Sequence, residues 1–272
     1  MSKNKYEIDM CNGTIMDKLI SFSVPLMLSG ILQLMFNAVD IIVVGRFAGS
    51  QSLAAVGSTT ALINMFVNLF IGVSLGANVL AARFYASGKH KEMSETVHTA
   101  ITFAAISGVV MALIGVLMAK PALELMGTPD DVINLSTLYM RIYFLGMPFF
   151  MLYNYGAAVL RAVGDTKRPL MFLMAAGIIN ACLNMVLVIV FNLGVAGVAI
   201  ATIFSQFISC VLVLRCLNKT DTSYQLRFSK LKIKGYYLKQ IFQVGIPAGI
   251  QSTVINFSNA LLQSSVNSFG ST

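Results

Sequence analysis

The sequence predicts an all-α membrane protein whose chain crosses the bilayer several times. Hydrophobic residues make up 57% of its 272 residues, charged residues make up 11%, and the mean hydropathy is +0.78. A soluble domain carries about 25% charged residues, well above this value. The charges also occur in clusters, and the uncharged stretches between them exceed the roughly 20 residues that a helix needs to span the hydrocarbon. We therefore predict seven membrane-spanning helices, near residues 19–44, 53–80, 95–118, 132–159, 169–191, 196–216 and 240–268.

The first three predicted spans follow directly from uncharged stretches. The first occupies Leu19–Gly45, in which Asp40 is the only charged residue. The second lies within Phe47–Ala82 and the third within Thr96–Ala119. Because each stretch is longer than about 20 residues, each is expected to form one transmembrane helix.

The remaining spans depend on longer stretches and one turn. Ile142–Leu160 is the uncharged part of the fourth span. Pro169–Leu214 is long enough for two helices, and the glycine-containing turn Asn192–Gly197 divides it into the fifth and sixth spans. The seventh span lies in the uncharged end of the chain, Gln240–Thr272.

The basic residues predict the orientation of these helices. With a cytoplasmic N-terminus, 16 of the 19 Lys and Arg residues lie on the inner side, and only Arg46, Lys120 and Arg141 lie outside or within a span. This bias follows the positive-inside rule. It predicts a multi-pass protein of the cell (plasma) membrane that contacts membrane lipid. The net charge of +8 is explained by topology and by attraction to anionic headgroups, so no nucleic-acid partner is expected.

An internal repeat divides the chain into units. A shift of 222 residues aligns Pro25 with Pro247, each about seven residues into a long apolar helix. Parallel repeats of this kind build the two halves of many transporters. We therefore predict a six-helix N-terminal transmembrane lobe (1–217), a basic cytoplasmic linker (218–238) and the first helix of a second, repeated lobe (239–272). The chain is then expected to be an N-terminal fragment of a protein with about twelve helices. The alternative is a complete seven-helix protein.

Asp40 is the strongest candidate for a functional residue. A carboxylate within hydrocarbon costs several kcal/mol, about 3 on insertion scales, so it usually faces a protein interior and works there. Gln33, Asn37 and Asp40 follow helical spacing and share one face. Pro25 removes a backbone hydrogen bond and is expected to act as a hinge for the inner part of this helix. The alternative is that Asp40 merely reaches towards the outer interface.

Other intramembrane polar residues could complete a site with Asp40. Most such side chains form hydrogen bonds between helices, each of which contributes about a kcal/mol or less to stability. For the asparagines of the second span, this structural role is favoured over a functional one. The candidates are Asn180 and Asn184 in the fifth span, Thr202 and Gln206 in the sixth, Tyr139, Tyr143 and Asn154 in the fourth, and Asn64, Asn68 and Asn78 in the second.

These residues lie in a sequence that resembles the MATE (multidrug and toxic-compound extrusion) transporters. The resemblance is carried by the run from Pro25 through Asn37-Ala-Val-Asp40 to Gly45-Arg-Phe, by Leu53–Gly57, and by Ala82–Gly88. The segment Leu160–Pro169 is similar to that family's loop between helices four and five. The resemblance implies two six-helix lobes and no enzymatic activity.

The resemblance also implies a function and a site. It implies a secondary active transporter that exports organic, chiefly cationic, drugs or toxic compounds by alternating access, coupled to H⁺ or Na⁺ antiport. Its N-lobe cation site corresponds to Asp40, Asn180, Asn184 and Thr202, which could hold Na⁺. The sequence departs from one common pattern, which has aspartate at the position of Asn184, so the coupling ion stays open. No other cofactor is expected, and the missing C-terminal lobe of the same chain is the expected partner.

The expected mechanism is competition at Asp40. Its ionised form favours a cationic substrate, whereas its protonated or ion-bound form lets the first helix repack around Pro25 and release the substrate outward. The nearest alternative is a flippase for lipid-linked oligosaccharide or polysaccharide in the same superfamily, which would need more cationic residues in its cavity. An intramembrane enzyme is disfavoured because the predicted spans hold no pair of acidic residues and the sequence holds no zinc motif such as H-E-x-x-H. A seven-helix receptor is disfavoured by the repeat and the cytoplasmic N-terminus.

Overall fold

The computed structural model describes Tyr6, Ile8 and residues 14–268, and its architecture is helical throughout. No strand occurs among these residues, which confirms the predicted all-α class. The predicted N-terminal segment before Thr14, apart from Tyr6 and Ile8, and residues 269–272 of the predicted 239–272 unit lie outside the described residues. The helices are α1 (Ile15–Val43), α2 (Ser50–Ala86), α3 (His90–Leu125), α4 (Asp130–Leu145), α5 (Met147–Ala162), α6 (Lys167–Met185), α7 (Gly194–Lys219) and α8 (Gly235–Ser268).

Two of these helices end in a wider turn, and one short helix lies between α7 and α8. α1 continues into a π-helical turn at Val44–Ala48, and α6 continues into another at Val186–Val190. A 3₁₀ turn occupies Phe228–Lys230. Residues 191–193 separate the π-helical turn after α6 from α7, so only Asn192 and Leu193 of the predicted turn Asn192–Gly197 lie between the helices; Asn192 and Gly194 both adopt positive φ.

The apolar helices agree with the predicted spans in the N-terminal unit. Among the described residues, five helices are long and apolar enough to cross a membrane, and α4 with α5 makes a sixth if the bent pair is one span. The predicted seventh span forms α8, but α8 is not among them. Gln240, Gln243 and Gln251 lower the hydropathy of its described part.

The fourth span was predicted as one continuous helix over 132–159, whereas the structure divides it into α4 and α5, a bent pair that can still form one broken span. The chain bends by 46° between α4 and α5, at Gly146. Pro148 is the physical reason, because its ring has no N–H to donate and clashes with the carbonyl group four residues earlier. The break packs tightly against a neighbouring helix, since a Cβ on Gly108 of α3 would lie 2.6 Å from the Cα of Pro148.

Helix α5 lies at the centre of the core, where it packs against α2, α3 and α7, whereas α1 lies at the edge of the bundle. Met151, Tyr155 and Leu160 of α5 are fully buried. Buried α1 residues are few, Pro25 and Val43 among those described, and most of its large apolar side chains are exposed. Exposed apolar surface of this kind suits contact with lipid.

The motif Leu160–Pro169 has a structural role at the end of α5. Fully buried Asp165 forms an ion pair with the guanidinium group of Arg168 and accepts a hydrogen bond from the Arg168 backbone N–H at 3.1 Å. Arg168 also donates to Sγ of Cys216 on α7 at 3.1 Å. The loop is therefore tied to both α6 and α7.

The segment between α7 and α8 is packed against the bundle over much of its length. Tyr224 and Leu226 are fully buried, and the ring of Tyr224 lies edge-on to that of Tyr85 at 6.4 Å. The basic residues of the predicted linker, Lys230, Lys232 and Lys234, remain exposed. α8 then packs along α2.

Candidate functional site

A cavity of about 310 Å³ lies inside the N-terminal unit, between α1, α2, α4, α5, α6 and α7. Six of the predicted site residues line it, and they come from four helices. Of its lining residues, Asp40 is the only one with a charged side chain. The predicted residues in its wall are Gln33, Asn37, Asp40, Tyr139, Asn180 and Thr202.

A continuous chain of hydrogen bonds joins Asp40 to α6 and α7. Nδ2 of Asn184 donates to Oδ1 of Asp40 and, at 3.2 Å, to Oδ1 of Asn180. Nδ2 of Asn180 donates to Oγ1 of Thr202 at 3.5 Å. The structure therefore brings together the four residues predicted for a cation site, with Asn184 fully buried behind the cavity wall.

Local packing explains why α1 can reach this position. Gly177 of α6 has no side chain, and the ring of Phe36 of α1 fills the space that a Cβ would occupy. Asp40 lies one turn beyond Phe36, opposite Asn180 and Asn184, which lie one turn apart on α6. This close approach of two helices thus sets the contact between the carboxylate and the amides.

The oxygen atoms near Asp40 could bind a cation. The carboxylate of Asp40, Oδ1 of Asn180 and Oγ1 of Thr202 lie along the hydrogen-bonded chain. Oδ1 of Asn184 is buried and has no hydrogen-bond partner among the described residues. Rotation of this amide would exchange its donor for an oxygen facing Asp40 and Asn180. Hard cations prefer oxygen ligands of this kind. If Asp40 were protonated instead, its O–H group would need a hydrogen-bond acceptor, which the same oxygen could provide.

Aromatic residues form much of the remaining wall. The rings of Tyr139 and Tyr143 lie 6.2 Å apart, and Phe36, Phe150 and Tyr153 also line the cavity. The side chain of Gln206 lies beside the hydroxyl group of Tyr143 in the same wall. Aromatic faces attract organic cations through the ring quadrupole, so this wall suits a cationic or aromatic molecule.

Two predicted residues have other positions. Asn154 does not line the cavity, because its Nδ2 donates to the carbonyl oxygen of Phe150 on its own helix at 2.8 Å. Its predicted place in the site therefore stays a prediction. Pro25 is buried in α1, which continues through it, and the Ser29 hydroxyl donates to the Pro25 carbonyl oxygen at 2.8 Å.

The asparagines of α2 divide between two roles. Nδ2 of Asn78 donates to the carbonyl oxygen of Ala158 on α5 at 2.7 Å, which is the interhelical contact that was favoured. Asn64 and Asn68 instead line the cavity opposite α1. The roles differ because Asn78 faces a carbonyl group of α5, whereas Asn64 and Asn68 face the cavity.

Sequence reasoning missed two serines of α7 that line the cavity. Ser205 and Ser209 lie on the same face as Thr202 and Gln206, with which they follow helical spacing. Ser209 donates to the carbonyl oxygen of Ser205 at 3.1 Å. This polar stripe was visible in the sequence and could have identified both residues.

Comparisons with known proteins agree with the fold and extend over nearly the whole chain. A family profile described as MatE matches residues 25–186. The chain is 34% identical over 259 residues to the probable multidrug resistance protein YoeA of Bacillus subtilis strain 168, covering 92% of this chain and 56% of that protein. It is 29% identical over 263 residues to the probable multidrug resistance protein YpnP of the same strain, covering 96% and 58%.

The fold also matches solved structures. One is the outward-facing conformation of a multidrug resistance MATE family transporter of the MOP superfamily, with a TM-score of 0.89 and 22% sequence identity. The match covers 97% of this chain and 58% of that chain. The chain thus spans about half the length of the relatives it matches.

Proposed function

The chain belongs to the MATE family, and from this premise we propose that it forms part of a secondary active transporter that exports organic cations in exchange for H⁺ or Na⁺. Members of this family are membrane transporters and not enzymes. The proposed location is the cell membrane, with a cytoplasmic N-terminus, because most basic residues then lie inside. The proposed transporting unit also includes a second lobe, with α8 as its first helix.

One observation carries this proposal: among the described residues, Asp40 supplies the single charged side chain in a cavity walled by amides, hydroxyl groups and aromatic rings. A lone carboxylate in a low-dielectric setting attracts one cation strongly, since little water screens the charge. An organic cation and a coupling ion would therefore compete for the same group. Because the coupling ion and the organic cation cannot occupy Asp40 together, the inward movement of the ion is linked to the outward movement of the organic cation.

The residues around Asp40 suit the two states that this mechanism needs. While Asp40 is ionised, the amide of Asn184 stabilises the carboxylate as a hydrogen-bond donor. When a proton or Na⁺ neutralises Asp40, that donor loses its charged partner, and the contact between α1 and α6 weakens. α1 has few buried residues on its inner part, so a bend near Pro25 would disturb little of the core.

The flippase alternative receives no support from the cavity. A site for a lipid-linked pyrophosphate needs cationic side chains, because phosphate groups are bound by Lys and Arg. Within the part of the chain that the structure describes, the side chains that line this cavity include no Lys, Arg or His. The charge of the site favours a cationic cargo.

The test is export of a fluorescent organic cation, such as ethidium, by the intact protein in proteoliposomes with an imposed proton or Na⁺ gradient. Asp40→Asn should abolish the gradient-dependent component, since the amide cannot exchange a proton or neutralise a cation. Asp131→Asn is the matched control, because Asp131 is exposed in the first turn of α4, away from the cavity. Gradient-dependent export by Asp40→Asn at the rate of the control would contradict the proposal.

A further inference from the structure

A second cavity, of about 460 Å³, lies where the segment between α7 and α8 crosses the start of α3. It is separate from the cavity that contains Asp40. We refer to it as the linker pocket. Its lining residues are Lys91, Ser94, Glu95 and His98 of α3 together with Lys230, Lys232 and Lys234 of the linker.

Specific contacts hold the two walls of the linker pocket together. Glu95 forms an ion pair with Nζ of Lys234, and Oγ1 of Thr99 accepts a hydrogen bond from the Lys234 backbone N–H at 3.3 Å. Nε2 of buried His98 accepts one from the backbone N–H of Arg227 at 3.1 Å. Because Glu95, His98 and Thr99 share one face of α3, they fix the linker at two points.

The tautomer of His98 follows from its partners. Nε2 faces an N–H donor, so it carries no hydrogen, and Nδ1 lies 2.7 Å from the carbonyl oxygen of Ser94 and donates to it. His98 is then neutral and acts as a structural bridge. The positive charge of the pocket comes from its lysines.

The charges of the linker pocket are unbalanced. Four lysines line it with one glutamate, and that glutamate is already paired with Lys234. Lys230 and Lys232 form no ion pair among the described residues, and Lys91 attracts Glu95 without forming a close ion pair with it. Like charges that line one concavity repel one another, and a bound anion would reduce this repulsion.

The surroundings indicate the kind of anion. The linker pocket lies on the proposed cytoplasmic side, and Phe228 and Leu231, which flank its lysines, are 56% and 39% exposed. Lysines beside exposed apolar side chains suit the boundary between headgroups and acyl chains, and basic pockets on this side of membrane proteins can bind lipid headgroups. The shared chemistry is a phosphate group, and the apolar neighbours favour a lipid as its source.

We propose that the linker pocket binds the phosphate-bearing headgroup of an acidic phospholipid. The bound headgroup neutralises Lys91, Lys230 and Lys232 and strengthens the attachment of the linker to α3. The site thereby ties the position of α8 to the lipid composition of the inner leaflet. This role does not depend on which compound the central cavity transports.

The test measures thermal unfolding of the purified protein in detergent while phosphatidylglycerol or phosphatidylcholine is added. Phosphatidylglycerol should raise the melting temperature, and phosphatidylcholine should not. The variant Lys91→Gln/Lys230→Gln/Lys232→Gln should bind phosphatidylglycerol about a hundredfold more weakly, at about fivefold per lysine. Lys232→Gln alone should show about a fivefold loss, which keeps the test valid if the triple variant folds poorly.

The matched control is Lys89→Gln/Lys219→Gln/Lys239→Gln, which removes the same charge from exposed lysines of the same side that do not line the linker pocket. Its affinity for phosphatidylglycerol should stay close to that of the unmodified protein. An equal loss in both triple variants would mean general attraction to the surface and would overturn the proposal. Equal stabilisation by phosphatidylcholine, or full stabilisation by millimolar inorganic phosphate, would overturn the assignment to an acidic lipid.

Discussion

The crossing of α2 and α8 makes a quantitative prediction, because glycines of the two helices meet there with backbone against backbone. Gly72 and Gly76 of α2 face Gly245 and Gly249 of α8. A Cβ on Gly76 would lie 2.1 Å from the carbonyl oxygen of Ile241 and 2.8 Å from the backbone nitrogen of Gly245. Small residues at a spacing of four allow this approach and are typical of helix packing in membranes.

The expected effect of Gly76→Ala follows from these distances. Non-bonded heavy atoms are most stable at about 3.5–4.0 Å, so the helices would have to separate by roughly 1.5 Å. The clashing atoms belong to the backbone and cannot rotate away as a side chain could. Overpacking of this kind costs about 1–3 kcal/mol, and alanine's higher helix propensity returns at most about 1 kcal/mol. We expect a net loss of about 1–2 kcal/mol, or displacement of α8.

Gly57→Ala is the matched control, because Gly57 is exposed on the same helix and a Cβ there would meet no atom within 4 Å. Thermal unfolding of the purified protein measures both variants. One kcal/mol corresponds to about 2–4 °C for a protein of this size. Gly76→Ala should therefore melt at least about 2 °C below the unmodified protein, whereas Gly57→Ala should melt at or above it. Equal melting temperatures for the two variants would refute the close crossing.

Two further predictions concern buried polar groups. Asp165→Asn should lower the free energy of unfolding by about 3 kcal/mol, because it leaves the guanidinium group of Arg168 without its carboxylate partner. Chemical or thermal unfolding checks this, and a loss below about 0.5 kcal/mol would contradict it. Asn184→Leu should cost about 1–2 kcal/mol, since the carboxylate of Asp40 loses its amide donor. The same unfolding assay applies, with Asn154→Leu as a control whose side chain bonds only its own helix; an equal cost in the two variants would contradict the bridging role of Asn184.

Much of the candidate site could be predicted because helical periodicity is a local property. The spacing of Asn37 and Asp40 puts them on one face of α1, and the spacing of Asn180 and Asn184 does the same on α6. The sequence could not show that these faces meet. The meeting depends on Gly177, whose missing side chain admits the ring of Phe36.

The asparagines of the predicted site differ in where the structure places them. Asn154 was expected beside Asp40, but its amide is satisfied within its own helix. Asn64 and Asn68 were expected to be packing contacts, but they line the cavity. Residue type does not distinguish these roles, because an asparagine can bond to a backbone carbonyl group, to a neighbouring helix or to a ligand with the same atoms.

The sequence by itself determined the helical class, the division into apolar spans and the family to which the chain belongs. These follow from hydrophobicity and from short motifs. The bilayer requires long apolar helices, and a short motif is recognised from neighbouring residues alone. The tertiary structure alone decided the break at Gly146, the cavity around Asp40, the linker pocket and the crossing of α2 and α8. Each depends on contacts between residues that are far apart in the chain. The geometry of these contacts depends on where a small side chain lets a neighbouring helix approach.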